Sequence, residues 1–138
     1  MSSGYLVDTC AAIWLSHRQV VADEARVALK KAWRDGVSVR VSVMTAWEMA
    51  MLVSKGRISE TRSAERWYYD FLKDSQISEQ SVTAAVLMAS CFLPQPIHND
   101  PTDRILIATA REHDLTIITR DRAILAYGAA GHVKTLAC

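Results

Sequence analysis

The chain has 138 residues and half of them are hydrophobic, which is enough for one well-filled core and too little for two. Sixteen basic and fifteen acidic residues leave a formal net charge of +1, so composition gives no reason to expect a polyanionic partner, and any nucleic-acid contact needs a local patch. The three cysteines, Cys10, Cys91 and Cys138, are widely spaced without a Cys-x-x-Cys pair, which argues against a disulfide framework and against a zinc site.

Hydropathy and cysteine usage predict a soluble protein of the cytoplasm. Acidic Asp8 comes before any apolar region of the signal-peptide type, and no uncharged apolar run approaches the roughly 18 residues of a membrane span. An odd number of cysteines fits a reducing compartment. We therefore expect a single domain over residues 1–138, with no membrane contact.

Strands and helices alternate in the first half of the chain. The apolar run Tyr5-Leu6-Val7 predicts a buried strand that passes directly into a helix and leaves Asp8 at the carboxyl end of the strand. The elements predicted next are a helix at 23–34, a strand at 37–41 and a helix at 43–55 that has Thr45 in its N-cap region and Glu48 one turn inside it.

The second half continues the alternation around an irregular, proline-rich stretch. Prolines at 94, 96 and 101 force a loop there, because each removes a donor and restricts the preceding residue. The predicted elements are helices at 63–73 and 79–92 with a weak strand near 76–77, then a helix at 104–113, a strand at 115–118, a helix at 123–127 and a strand at 132–136.

This alternation predicts an α/β fold with a central parallel sheet of four to five strands between two layers of helices. In such sheets the ligand site lies outside the carboxyl ends of the strands. Asp8 and Asp121 both follow predicted strands, and Asp103 starts a helix that can point at the same edge. We therefore expect carboxylates that are distant in sequence to meet there.

Carboxylates that share one site repel each other unless a cation compensates their charge. Mg²⁺ suits such a site because it is held directly by one or two carboxylates and keeps waters that phosphate oxygens can replace, and Mn²⁺ fits similarly. A bound divalent ion can activate water, neutralise a phosphodiester and stabilise the leaving 3′-oxygen. The predicted reaction is phosphodiester hydrolysis.

Taken singly, most of these residues have an ordinary structural explanation. An aspartate at a strand end or a helix start is usually a cap or a solvated turn residue, whereas Glu48 stands in an otherwise apolar helix and needs a partner or water. His98 and His113 lack the spacing of a metal pair and are interpreted as loop and surface residues. The Trp67-Tyr68-Tyr69 cluster fits a core or a partner-binding face equally well.

The motifs together resemble the PIN-domain family, and within it the VapC-type toxin ribonucleases of type II toxin–antitoxin systems. The resemblance covers essentially the whole chain. Its pieces are Leu6-Val7-Asp8-Thr9, Ser42 through Trp47-Glu48 to Lys55-Gly56-Arg57-Ile58, His98-Asn99-Asp100-Pro101-Thr102-Asp103-Arg104 with Ile107-Ala108-Thr109-Ala110, and Ile118-Thr119-Arg120-Asp121.

The resemblance implies a catalytic metal centre made by Asp8, Glu48, Asp103 and Asp121. Asp8 and Asp103 match the positions that engage the metal most directly, and Glu48 and Asp121 match positions that bind through water or complete the cage. The supporting positions are Asp100, which could serve a second metal or cap the following helix, and Thr9 and Thr119, whose hydroxyls could orient a water or a carboxylate.

The resemblance also implies an RNA substrate, a homodimer that can enter a larger complex, and a cognate VapB-type antitoxin that covers the active-site groove. Arg104, Arg120 and Arg122 lie near the acids in sequence and could hold phosphates, although charged helix starts are also ordinary surface.

Three other functions compete with this hypothesis. A non-catalytic PIN-type module that binds RNA or protein would have the same fold, and only retention of the four acids speaks against it. A haloacid-dehalogenase-like phosphatase also places an aspartate after its first strand, but its Asp-x-Asp pair is absent, because Thr9 and Cys10 follow Asp8. A response-regulator receiver domain is a weaker option, since neither its acidic pair nor its phosphoacceptor is evident.

Overall fold

The computed structural model describes residues 3–19 and 22–138, which form one parallel sheet between two layers of helices. The strands are β1 (Gly4–Val7), β2 (Ser38–Ser42), β3 (Ser78–Gln80), β4 (Leu115–Thr119) and β5 (Lys134–Ala137). The helices are α1 (Thr9–Ser16), α2 (Asp23–Asp35), α3 (Val43–Ser54), α4 (Ala64–Ser75), α5 (Ala84–Ala89), α6 (Pro101–His113) and α7 (Arg122–Ala129). The predicted α/β class is confirmed, with five strands.

The strand order switches direction between β1 and β4. From β1 the chain adds β2 and β3 on one side, and then adds β4 and β5 on the other side. The order is β3-β2-β1-β4-β5 and every pair is parallel. Val7, the last residue of β1, is in register with Val41 of β2 and Ile118 of β4, so these strands end at the same level. A crevice at such a reversal is where open parallel sheets bind ligands.

Two hydrophobic cores lie on opposite faces of the sheet, because successive strand residues point to opposite sides. Val7 and Ile118 face a core completed by α1 to α4, and Leu6 and Ile117 face a core completed by α5, α6 and α7. Trp67 is fully buried in the first of these cores. The core interpretation of the Trp67-Tyr68-Tyr69 cluster therefore holds for its first two residues, while Tyr69 is 57% exposed.

The predicted helix over residues 79–92 is wrong at its beginning. Ser78–Gln80 instead form β3, which pairs with Arg40–Ser42 at the edge of the sheet. The helix starts only at Ala84, because the Thr83 hydroxyl accepts a hydrogen bond from the Val86 N–H and caps it there. The predicted strand near 76–77 lies two residues too early, since Gln76 is the left-handed C-cap of α4.

Helix α3 begins at Val43 as predicted, but its capping residue and the start of α6 differ from the sequence predictions. Helix α3 is capped by Ser42, whose hydroxyl accepts from the Met44 N–H, and not by Thr45. Helix α6 begins at Pro101, because the Asp100 carboxylate accepts from the Asp103 N–H and proline suits the first helical position. Across residues 3–19 and 22–138, none of the helices is both long and apolar enough to cross a bilayer.

A buried carboxylate fastens the loop between α3 and α4. Glu60 accepts from the Arg62 guanidinium at 2.7 Å and lies 3.0 Å from His17 Nε2, and its side chain is 7% exposed. The His17 ring stacks on Trp67 with centroids 5.3 Å apart, which ties this ion pair to the core. The bonds from Arg62 are the main cause that lowers the pKa of Glu60 to about 2.

We expect Glu60→Ala to lower the free energy of unfolding by about 1–2 kcal/mol, because the Arg62 guanidinium and the His17 imidazole lose a charged acceptor. The pKa of Glu60 is about 2 in the folded chain and near its ordinary 4.5 in the unfolded one. Its contribution is therefore complete above pH 4.5 and is lost as the pH falls toward 2. Urea unfolding at pH 7 and at pH 3.5 measures both effects, with exposed Glu112→Ala as the control. An equal pH dependence in wild type and Glu60→Ala would contradict the assignment.

Candidate active site

Four carboxylates from separate segments line one pocket at the carboxyl ends of β1 and β4. The pocket has a volume of about 290 Å³ and also contains hydroxyl, thiol and guanidinium groups. Its lining includes Asp8, Thr9, Cys10, Trp14, Ser42, Thr45, Glu48, Thr102, Asp103, Arg120 and Asp121. Sequence-distant acids therefore meet where the sheet predicts a ligand site.

Asp8 is the most buried of these acids, at 7% exposure. Its Oδ1 accepts a hydrogen bond from the Ala11 N–H at 2.8 Å and thereby caps α1, and its Oδ2 accepts one from the Thr119 hydroxyl. Burial is the largest cause that raises the pKa of Asp8, and the bonds from Thr119 and Ala11 oppose it. Repulsion from Asp103 and Asp121 raises the pKa further.

Glu48 points from α3 to the same pocket and is held by a hydroxyl. The Thr9 hydroxyl donates to Glu48 Oε1, and Thr9 Oγ1 lies 2.9 Å from Thr45 Oγ1. Burial is the main cause that raises the pKa of Glu48; the Thr9 bond lowers it, and repulsion from Asp103, Asp100 and Asp8 raises it again. Glu48 thus has the partner that an acid in an apolar helix needs.

Asp103, in the first turn of α6, is paired with a histidine. His98 Nε2 lies 2.9 Å from Asp103 Oδ2, and each side chain is 26% exposed. Burial is the main cause that raises the pKa of Asp103, the His98 contact lowers it, and repulsion from Asp100 and Asp121 raises it.

Asp121 and Asp100 both act as helix caps. Asp121 Oδ1 accepts from the Ile124 N–H at 3.0 Å and begins α7, and its own N–H donates to Thr119 Oγ1. The single hydroxyl of Thr119 thus bridges Asp8 and Asp121 across the ends of β1 and β4. The Asp100 cap of α6 agrees with one of its two predicted roles.

The three candidate phosphate-binding arginines have different surroundings. The Arg120 guanidinium lies 3.7 Å from the centre of the Trp14 ring, its Nε donates to the Cys138 carbonyl, and the residue lines the pocket. Arg104 instead donates its Nε to the His98 carbonyl at 2.8 Å. Arg122 is exposed at the first residue of α7.

His98 is the site residue that sequence reasoning missed. It lies in a loop, as predicted, but one donor atom each from His98, Asp103 and Asp121 lie within 4.8 Å of one another. The available signal was its position five residues before Asp103, in the proline-rich loop that precedes α6.

The fold and the pocket define a class of α/β proteins that have an acidic site at the carboxyl ends of a parallel sheet. Comparison with known proteins identifies the family. A family model described as PIN domain matches residues 5–129. The chain belongs to the PIN-domain family, which removes the phosphatase and receiver-domain alternatives.

Individual relatives agree with this assignment. Ribonuclease VapC22 of Mycobacterium tuberculosis is 25% identical over 119 residues, which cover 86% of this chain and 88% of that protein. VapBC2 from Rickettsia felis, in a crystal structure bound to a DNA fragment from its promoter, has a similar fold, with a TM-score of 0.72 and 14% identity over 97% of this chain and 98% of that one. FitAcB from Neisseria gonorrhoeae gives a TM-score of 0.56 and 22% identity over 96% of each chain.

Proposed function

We propose that this protein is a metal-dependent endoribonuclease, the toxin of a VapBC-type pair, with Asp8, Glu48, Asp103 and Asp121 as its catalytic residues. The observation that carries the proposal is the meeting of these four acids in one pocket, with burial and mutual repulsion raising the pKa values of three of them. The similarity to a ribonuclease named VapC22 supports RNA as the substrate.

The donor set fits a divalent cation. Carboxylates that repel each other and line one pocket form the kind of site that Mg²⁺ or Mn²⁺ occupies. Asp8 and Asp103 would hold the ion most directly, and Glu48 and Asp121 would bind through water or complete the set. When bound, the ion would lower the pKa of a water and neutralise charge on the phosphodiester.

The residues of the chain orient the groups that react. Thr119 fixes Asp8 and Thr9 fixes Glu48, so both carboxylates are held before a substrate arrives. A water held by Glu48 attacks phosphorus and gives up its proton to the carboxylate, the bond from phosphorus to the 3′-oxygen breaks, and the 3′-oxygen takes a proton from solvent. The products are a 5′-phosphate and a 3′-hydroxyl.

The product ends provide a direct test of this chemistry. We expect cleavage of end-labelled RNAs by the purified protein, without antitoxin, to require Mg²⁺ or Mn²⁺ and to give fragments that a 5′-phosphate-dependent exonuclease degrades. Fragments with a 2′,3′-cyclic phosphate would contradict water as the nucleophile. A folded protein that binds metal and cleaves no RNA would favour the non-catalytic binding module.

Arg120 is the arginine best placed to hold a phosphate of the substrate. We expect Arg120→Ala to weaken binding of single-stranded RNA in EDTA about tenfold, and to reduce the slope of log affinity against log salt by about 0.7, the value for one phosphate contact. Exposed Arg26→Ala on α2 is the control. An unchanged salt slope would contradict a phosphate contact, whatever happens to the affinity. Arg104 and Arg122 stay as weaker candidates.

The partners proposed here follow from the relatives. The similar structures are of toxin–antitoxin complexes, which supports a cognate VapB-type antitoxin as the partner. A basic side chain of that antitoxin would be attracted to the acidic pocket. We further propose a homodimer acting in the cytoplasm, alone or within a larger toxin–antitoxin complex. Light scattering of the free toxin and of the complex tests both assembly states.

A further inference from the structure

His98 has contacts that a surface loop residue does not need. Arg104 Nε donates to the His98 carbonyl at 2.8 Å and fixes the backbone, so the imidazole is held against the start of α6. Its Nε2 lies 2.9 Å from Asp103 Oδ2, and both side chains are only partly exposed. The ring is therefore aimed at the Asp103 carboxylate by two separate contacts.

The distances match those between ligands of one ion. Adjacent ligand atoms bound at about 2.1 Å around an octahedral ion lie about 3.0 Å apart, and the His98 and Asp103 atoms are 2.9 Å apart. Asp121 brings a third donor atom within 4.8 Å of both. The three groups can therefore close around one cation when the ion replaces the hydrogen bond between His98 and Asp103.

We propose that His98 is itself a ligand of the divalent cation, together with Asp103 and Asp121, and that its nitrogen makes the site prefer Mn²⁺ to Mg²⁺. This inference rests on the proposed function, since it concerns the same ion. Imidazole nitrogen suits transition metals, whereas Mg²⁺ prefers carboxylate and water oxygens. Loss of the nitrogen therefore weakens Mn²⁺ binding far more than Mg²⁺ binding.

A different role for His98 predicts a different pattern. If His98 only positions Asp103 through their contact, its removal weakens both metals by the same factor. The comparison of two metals thus separates a ligand from a positioning residue. His113 gives a matched control, because it lies at the opposite end of α6, where its Nε2 is 3.3 Å from Gln80 Nε2.

The test measures metal binding by the full chain without RNA. Calorimetric titration with MnCl₂ and with MgCl₂ compares wild type, His98→Asn and His113→Asn. We expect His98→Asn to weaken Mn²⁺ binding at least tenfold and Mg²⁺ binding less than threefold, and His113→Asn to change neither. Pulsed electron paramagnetic resonance of bound Mn²⁺ should show nitrogen coupling in wild type that disappears in His98→Asn.

Equal weakening of both metals, or Mn²⁺ bound without nitrogen coupling, would overturn the inference. If the wild-type protein still cleaved RNA in either of these cases, the proposed function would be unaffected. Conversely, nitrogen coupling in a protein that cleaves no RNA would support His98 as a metal ligand and contradict the proposed nuclease function. A wild-type chain that binds neither metal would overturn both.

Discussion

Asp103→Asn is expected to reduce RNA cleavage by about 10²–10³-fold while leaving the fold as stable as wild type or more so. The loss follows if Asp103 holds the ion, because removal of one strong electrostatic group at a reacting centre typically lowers the rate by about 10²–10³. The stability follows from the metal-free site, where burial is the main cause of the raised pKa of Asp103. A neutral amide removes that unfavourable charge.

The measurement pairs a cleavage rate with a urea unfolding curve on the same preparation. Asp23→Asn, at an exposed position of α2, is the control for a lost carboxylate elsewhere. If Asp103→Asn unfolded at a much lower urea concentration than wild type, its lost activity would report damage to the structure. If it cleaved RNA at the wild-type rate, Asp103 would have no part in catalysis.

Metal removal is expected to have the second large effect, on stability. A ligand that binds only the folded state at a hundred times its Kd raises the free energy of unfolding by about 2.7 kcal/mol. We therefore expect saturating Mg²⁺ or Mn²⁺ to raise the melting temperature at pH 7, and EDTA to reverse the rise. In Asp8→Asn we expect only a small fraction of the wild-type rise in melting temperature.

The same carboxyls predict the pH dependence of the metal-free protein. The pKa values of Asp8, Glu48 and Asp103 are raised, mainly by burial, so the folded chain holds protons at these groups more tightly than the unfolded chain. Their contribution to stability therefore increases as the pH falls from neutral toward those pKa values. In a series of thermal melts in EDTA from neutral to acidic pH, we expect the melting temperature of Asp8→Asn to depend less on pH than that of wild type. Equal dependence in both proteins would contradict the shared acidic site.

The sheet was predictable because short strand patterns alternate with helical patterns along the chain. Residues 5–7 and 115–118 are short, mainly apolar runs that favour buried strands, and the parallel order follows from helical crossovers. Strand β3 was not predictable, because Ser78-Glu79-Gln80 is polar and only three residues long. Its backbone pairing with β2 decides its structure.

The convergence of Asp8 and Asp121 was predictable, since each follows a strand and parallel strands end at one edge. The contacts that orient these acids were harder to predict from the sequence. Thr9 and Thr119 were predicted only as hydroxyls beside the acids; which carboxylate each one holds depends on how α1 and α3 pack and on the register of β1 with β4. His98 was missed because its contact depends on the path of a proline-rich loop.

The most direct test of the nuclease assignment is the rate at which wild-type protein, purified without antitoxin, cleaves a panel of structured RNAs before and after chelation. We expect internal cleavage in Mg²⁺ or Mn²⁺, its loss in EDTA, and its return when the metal is restored in excess. Cleavage that continues unchanged in EDTA would contradict a catalytic metal at the four carboxylates, because activity would then come from other chemistry or from a contaminating nuclease.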